Sequence, residues 1–236
     1  MNRNTTSGGA TAAAVALGVF LALLAAGCAS PQSHVVSAGF TGRLGEAKRV
    51  GVAVADAQIY RLEAAGGLVW DAAGSGTCRE RLQRAVAREV AGRGLIAVEL
   101  TVDDEVQALL KEYQQARGAI LDPFAASGGQ IAGVAPLPAA VRVASREALD
   151  AVVIVSGRDH VSTAGRQAMM GALLLLGVVG GKGLAYADLA LIDPSGAVLF
   201  YDRKRGSQYN LTREDDVGNV CAELVGDYAQ AKPAAP

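Results

Sequence analysis

The continuous run Ala151-Val152-Val153-Ile154-Val155 constrains the fold more than any other stretch of the chain. A strand that is apolar on both sides belongs in the middle of a sheet covered front and back, and such covers are helices. The helices are legible. Thr77-Cys78-Arg79-Glu80 reads as a capping box. The helix predicted after it turns Cys78, Leu82, Ala85, Val86 and Val90 inward, with Arg79, Arg84 and Arg88 outside and Gly92 and Gly94 ending it. Asp103 and Asp104 open a second, with Val106, Leu109, Leu110 and Tyr113 as its inner face. Pro138 begins a short third, ending near Leu149. Thr212 heads a last one, with Val217, Val220, Cys221, Leu224, Val225 and Tyr228 inside.

Further strands fall between these helices. Val50, Val52 and Val54 alternate with Gly51, Ala53 and Ala55, and Leu95–Leu100 follows the first helix after a tight connection. Ala185–Ile192 and Ala197–Arg203 flank Asp193-Pro194-Ser195-Gly196, a turn in which Pro presets φ and Gly supplies a positive φ. The expected fold is α/β: a mixed sheet with a C-terminal β-hairpin and helices packed on it. Two stretches resist this pattern. Residues 56–76 read as an irregular crossing, and Arg117–Pro138 as a Gly/Ala/Pro-rich passage that is either a flap or hides a short element.

The N-terminus gives an address. Arg3 precedes an apolar run holding Val15, Leu17, Val19, Phe20, Leu21, Leu23 and Leu24, and small residues lead into Cys28. That is the layout of an export signal. As a membrane span the run is slightly short, with Gly18 inside and no charge at its far end. Leu23-Leu24-Ala25-Ala26-Gly27-Cys28 resembles a bacterial lipobox, departing from it at Ala25, where a branched residue is usual. The resemblance implies a signal peptide at 1–27 and a diacylated Cys28 as first mature residue. Ala29, in place of the Asp that commonly retains lipoproteins at the inner membrane, is similar to outer-membrane sorting signals. The other reading is an ordinary secretory signal that happens to precede a Cys. Residues 28–47 then form the lipidated Cys and a flexible tether, within which His34 has no expected role. Residues 48–230 form one periplasmic domain, and 231–236 a frayed tail.

With Cys28 acylated, Cys78 and Cys221 remain. In an exported protein they are candidates for a disulfide, or they are two buried thiols.

Charge and composition exclude several classes. There are 22 basic against 23 acidic residues, and Arg203-Lys204-Arg205 is the one basic cluster, so nucleic acid is not an expected partner. Aromatics are 5 % with a single Trp, too few for a stacking platform. Gly74-Ser75-Gly76 starts a dinucleotide pattern that fails at Arg79. Gly177–Gly183 has a phosphate-loop Gly-Lys pair, but the first Gly is one residue too close and Gly183 stands where Ser or Thr would bind Mg²⁺. No Gly-x-Ser-x-Gly elbow exists. Asp159-His160 is the one suggestive pair for a hydrolase, and Asp215-Asp216 reads as helix-start charge rather than a metal site. No catalytic residue, cofactor or metal is expected.

The stretch Ala148-Leu149-Asp150 before the β-branched strand, with the hairpin Ala187-Asp188-Leu189-Ala190-Leu191-Ile192-Asp193-Pro194-Ser195-Gly196-Ala197-Val198-Leu199-Phe200, resembles the curli-secretion lipoproteins and related envelope lipoproteins. Their Leu-Val-Asp-x-x-Thr-Gly-x-x-Leu-Trp pattern meets Ser195 and Phe200 here. The resemblance covers roughly Ala148–Arg203. It implies a periplasmic α/β domain on a lipid anchor, used in assembly or secretion rather than catalysis.

Met169–Val179 tests that implication. It is too short to span a bilayer as a helix and does not alternate as a pore strand must. It is either an element buried against the sheet or an exposed apolar patch, with Met169, Met170, Leu173, Leu174, Leu175 and Leu176 as candidate interface residues. The functional expectation is a lipid-anchored, non-catalytic interaction or assembly module on the periplasmic face of the outer membrane, with an envelope protein as partner. The alternatives are a homo-oligomeric secretion-type membrane element using 169–179 and, more distantly, a periplasmic hydrolase.

Overall fold

The computed structural model describes residues 34–38, 40, 48–125, 131, 133–175 and 183–230, with backbone alone at 122–125, 174–175 and 229–230. The signal peptide, Cys28 and the C-terminal tail lie outside the described residues. The elements run β1 (His34–Val36), β2 (Arg49–Leu62), β3 (Leu68–Trp70), α1 (Ala72–Ala91), β4 (Ile96–Glu99), α2 (Asp104–Ala125), α3 (Pro138–Glu147), β5 (Ala151–Ser162), α4 (Ala164–Leu175), β6 (Ala185–Ile192), β7 (Val198–Gly206) and α5 (Glu214–Gln230).

The strands form one mixed sheet in the order β1-β7-β6-β5-β2-β3, with β4 also on β2. β5 sits at its centre, as its β-branched composition requires. It is parallel to β2 over twelve residue pairs, from Val50↔Ala151 to Leu62↔Ser162, and antiparallel to β6. Asp150 sets that register: its carboxylate accepts the backbone N–H groups of Lys48 and Arg49 at 2.7 and 2.9 Å, tying the starts of β2 and β5 together. The same two bonds hold its carboxyl below the ordinary Asp range.

Period 2 along the strands splits the core in two. Val50, Val52, Val54, Val153, Val155, Leu189 and Phe200 face α1 and α5, meeting Leu82, Val86, Val220 and Leu224. Ala53, Val152, Ile154, Ala190, Ile192 and Tyr201 face α2 and α3, meeting Val106, Leu109, Tyr113 and Val143. Each fully buried Val, Leu or Ile stabilises the fold by about 1.5–3 kcal/mol relative to exposure. The expected α/β class, the hairpin and the inward faces of the helices are all found.

Four expectations need correction. The tether is interrupted: His34–Val36 pairs antiparallel with β7, and Phe40 is buried against Phe200 and Tyr228, because the adjacent Val35 and Val36 find cover on opposite faces of an open sheet edge. The irregular crossing at 56–76 is largely ordered. β2 continues through it to Leu62 after a bulge between Val54 and Asp56, which returns Ala57 and Ile59 to the interior. The first helix starts at Ala72 rather than at Thr77. Asp71 is its cap and accepts the Gly74 N–H at 2.9 Å, so Thr77 lies inside the helix despite the capping-box pattern. The passage after Arg117 begins as helix: α2 continues to Ala125, with Ile120 buried on the face that already holds Tyr113.

The hairpin turn behaves as its residues dictate. Asp193 Oδ1 accepts from the backbone N–H groups of Ser195 and Ala197, and Gly196 adopts φ +84° against the Leu137 backbone. A Cβ at Gly196 would lie 2.5 Å from the Leu137 carbonyl oxygen.

Candidate functional site

The carboxyl ends of β2 and β5 lie side by side, and three features gather at that end of the sheet. β1 is entered from there, since His34 pairs with Asp202 and Val36 with Phe200, farther from that end. β3 pairs Leu68 with Leu62 and Trp70 with Tyr60, and exposes Leu68, Val69 and Trp70, the last by 61 %. α4 leaves directly from β5, its first turn held by Thr163, whose hydroxyl accepts the Arg166 N–H at 3.3 Å.

No described side chain of α4 is buried. Met169 is 37 % exposed, while Met170 and Leu173 are half-buried. At Met169, Met170 and Leu173, the part of the apolar run whose side chains are described, the residues lie on a helix outside the core. The side chains of Leu174, Leu175 and Leu176 lie outside the described residues. Among the described residues no helix is long and apolar enough to cross a membrane.

A second feature lies on the α2 side of the sheet, toward the carboxyl ends of β2 and β5. Arg158 Cζ stands 5.9 Å from the Tyr60 ring centre and 5.8 Å from that of Tyr186. Arg203 Cζ stands 5.0 Å from Tyr186 and 5.9 Å from Tyr201. Ring and guanidinium thus alternate across β2, β5, β6 and β7. His160 packs edge-on against Tyr60 with centres 5.7 Å apart. Beside this ladder Asp188 is fully buried and accepts from Arg117 of α2, from Arg203 at 3.3 Å and from the Tyr113 hydroxyl at 3.5 Å. Burial pushes the Asp188 carboxyl up, and the two guanidiniums oppose it.

Sequence reasoning missed this ladder. Its signal was a change of partner at a constant period. After the apolar Val152 and Ile154, the same face of β5 continues as Ser156, Arg158 and His160, while β6 supplies Tyr186 and Asp188 and β7 Arg203 and Arg205.

The Asp159-His160 pair does not form a dyad. Neighbours on a strand point to opposite faces. Asp159 is buried and accepts the Leu211 N–H at 2.8 Å, pinning the approach to α5, while His160 faces Tyr60. Both border a concavity of about 330 Å³ with Gln167, Tyr209 and Asn210.

Cys78 and Cys221 both lie in the core between α1, α5 and the sheet, close enough to influence each other electrostatically. The structure holds both as free thiols, not as the expected disulfide. Burial pushes the Cys78 thiol up to about 12, with Asp159 adding to it, and raises Cys221 further, so both stay protonated.

No protein-family model matches the chain, and no curated protein does. Among solved structures the chain is similar to the PelC dodecamer from Paraburkholderia phytofirmans: identity 12 %, coverage 84 % of this chain and 96 % of that one, TM-score 0.37. It is also similar to the LpoB C-terminal domain from Salmonella enterica: identity 13 %, coverage 73 % and 88 %, TM-score 0.30. These are distant likenesses, and the chain's own surfaces carry the functional reading.

Proposed function

We propose that the chain is a lipid-anchored envelope protein, held at Cys28 on the periplasmic face of the outer membrane, and that its α/β body is a non-catalytic interaction or assembly module. The observation that carries the reading is α4, a helix rich in apolar residues of which no described side chain is buried, leaving directly from the central strand of the sheet. A helix of this composition gains nothing by facing water, and a neighbouring protein is the surface that would cover it. The signal-like N-terminus supports the anchor. Five residues separate Cys28 from β1, and an extended chain covers at most about 3.6 Å per residue, so an acylated Cys28 keeps the body near the bilayer.

The exposure of Leu68, Val69 and Trp70 on β3, at the same end of the sheet from which α4 leaves β5, favours a second reading, in which this end rests in the bilayer surface of an oligomeric membrane element. One experiment separates the two. The detergent-extracted protein is weighed by light scattering as wild type and as Met169→Asp/Leu173→Asp, and mass spectrometry of the N-terminal peptide reads the lipid on Cys28. Interaction through α4 predicts a variant with unchanged circular dichroism and a smaller assembly. An unchanged mass with less bound detergent supports the bilayer reading. Loss of folding, or an unmodified Cys28, overturns the corresponding half of the proposal.

A further inference from the structure

We propose that Arg158 is the centre of a binding site for a phosphate-type oxyanion, built on the carboxyl ends of β2 and β5. The guanidinium stands between the Tyr60 and Tyr186 rings, its Cζ 5.9 and 5.8 Å from their centres, and these contacts favour one placement of it before any ligand arrives. Cation–π contact holds a guanidinium by its face and leaves the N–H groups at its edge free to donate. Arg117 and Arg203 have a carboxylate to meet, that of Asp188. Arg158 has none among the described residues, and its Nε–H is buried without an acceptor there.

The neighbouring polar groups are short of acceptors as well. Ser156 stands two residues earlier on the same face of β5, is 2 % exposed, and its hydroxyl has no partner among the described residues. The Nε–H groups of Arg117 and Arg203 are in the same condition. Buried donors without acceptors are costly, at about 1–3 kcal/mol each and more for charged groups. Arginine N–H groups can only donate, so what would satisfy them is a ligand rich in acceptors. Gln58, opposite Arg158 on β2, accepts from the Tyr60 hydroxyl through Oε1 at 3.2 Å, which leaves its amide N–H groups as further donors.

Charge selects the kind of oxyanion. Arg117, Arg158 and Arg203 meet a single carboxylate, that of Asp188, and Arg205 lies on the same face, so this half-buried surface carries an excess of positive charge. A phosphomonoester carries about −1.5 to −2 at neutral pH and a phosphodiester a single negative charge, and either offers a pair of oxygens to a bidentate arginine. The position agrees with the rule that ligands of α/β sheets bind outside the carboxyl ends of parallel strands.

The test is calorimetric titration of the detergent-extracted full chain with inorganic phosphate and, separately, with glycerophosphoglycerol, the deacylated headgroup of an anionic lipid. Both are run on wild type, Arg158→Gln and Arg146→Gln. Arg146 is the control because it lies apart from the ladder, with Asp103, Glu105 and Glu147 within 2.5–2.9 Å. Saturable binding that weakens at least tenfold in Arg158→Gln and less than twofold in Arg146→Gln is the expected result. Preference for inorganic phosphate identifies a free solute as the source, and preference for glycerophosphoglycerol identifies a lipid headgroup. Absence of saturable binding to either anion, or equal affinity in wild type and Arg158→Gln, overturns the site. Unfolding curves of all three proteins show whether the variants remain folded, and Arg158→Lys, which keeps the charge and loses the fork, gives a second variant. It is expected to bind with intermediate affinity.

Discussion

Arg117 of α2 and Asp188 of β6 form an ion pair in which the carboxylate is wholly buried, joining the end of a covering helix to the centre of the sheet. Removing the cation leaves a buried charge held by Arg203 and the Tyr113 hydroxyl, the situation that makes broken buried pairs expensive. Arg117→Met is therefore expected to lower unfolding stability by about 3 kcal/mol. Denaturant unfolding measures it, and a loss below about 1 kcal/mol would show that Arg203 suffices.

Asp202 gives a pH dependence of unusual sign. Burial pushes its carboxyl up to about 7, against the opposing pull of Lys204 at 3.1 Å. Between the ordinary Asp value and 7 the folded chain binds more protons than the unfolded one, so this group's contribution to stability falls as pH rises through that window. His34 works in the other direction, since burial holds its imidazole below the ordinary value and its contribution is lost as pH falls below about 6.5. The informative quantity is the difference between wild type and Asp202→Asn. Wild type is expected to lose about 2 kcal/mol relative to the variant between pH 5 and pH 7.5.

The two core cysteines should be silent in the native state. Both are free, buried and protonated, so a thiol reagent such as DTNB should find almost nothing until the chain is unfolded. Unfolded without reductant, Cys78 and Cys221 should then release two equivalents between them. Zero equivalents would mean that the pair had closed.

Trp70, the single Trp of the chain, reports on the exposed end of the sheet. It is 61 % exposed and donates from Nε1 to Ser75 Oγ at 3.1 Å. Its emission should be red-shifted and readily quenched by acrylamide in the isolated protein. Covering that end by a partner or by a bilayer should shift it to the blue. Trp70→Ala should cost less than about 1 kcal/mol, and a larger loss would show that β3 is packed more tightly than its exposure indicates.

What the sequence revealed follows from what each residue needs. The strand at Val152–Val155 and the hairpin around Asp193–Gly196 are specified by local chemistry, and both stand where expected. The start of α1 was misplaced because two residues could cap it, and it is Asp71, held directly after β3 by its N–H bond to the Ile59 carbonyl, that does so. β1 was invisible because three residues acquire strand character only when an edge is waiting for them. Whether Met169 and Leu173 are covered depends on what surrounds them, which their own apolar character does not encode. The ladder is the clearest case: Tyr60, Arg158, Tyr186 and Arg203 are far apart in the chain, and only the register of four strands makes them neighbours.

The two borders of the sheet bear on how copies of this protein could join. β3 and β4 share one flank of β2, each only three or four residues long, and β1 closes the opposite flank with three. Continuous hydrogen-bonded growth from one molecule to the next needs a longer run of free backbone than any of these provides. Among the described residues the edge strands are thus too short to extend the sheet far from one molecule to the next, and the order that copies of this chain adopt rests chiefly on their side chains.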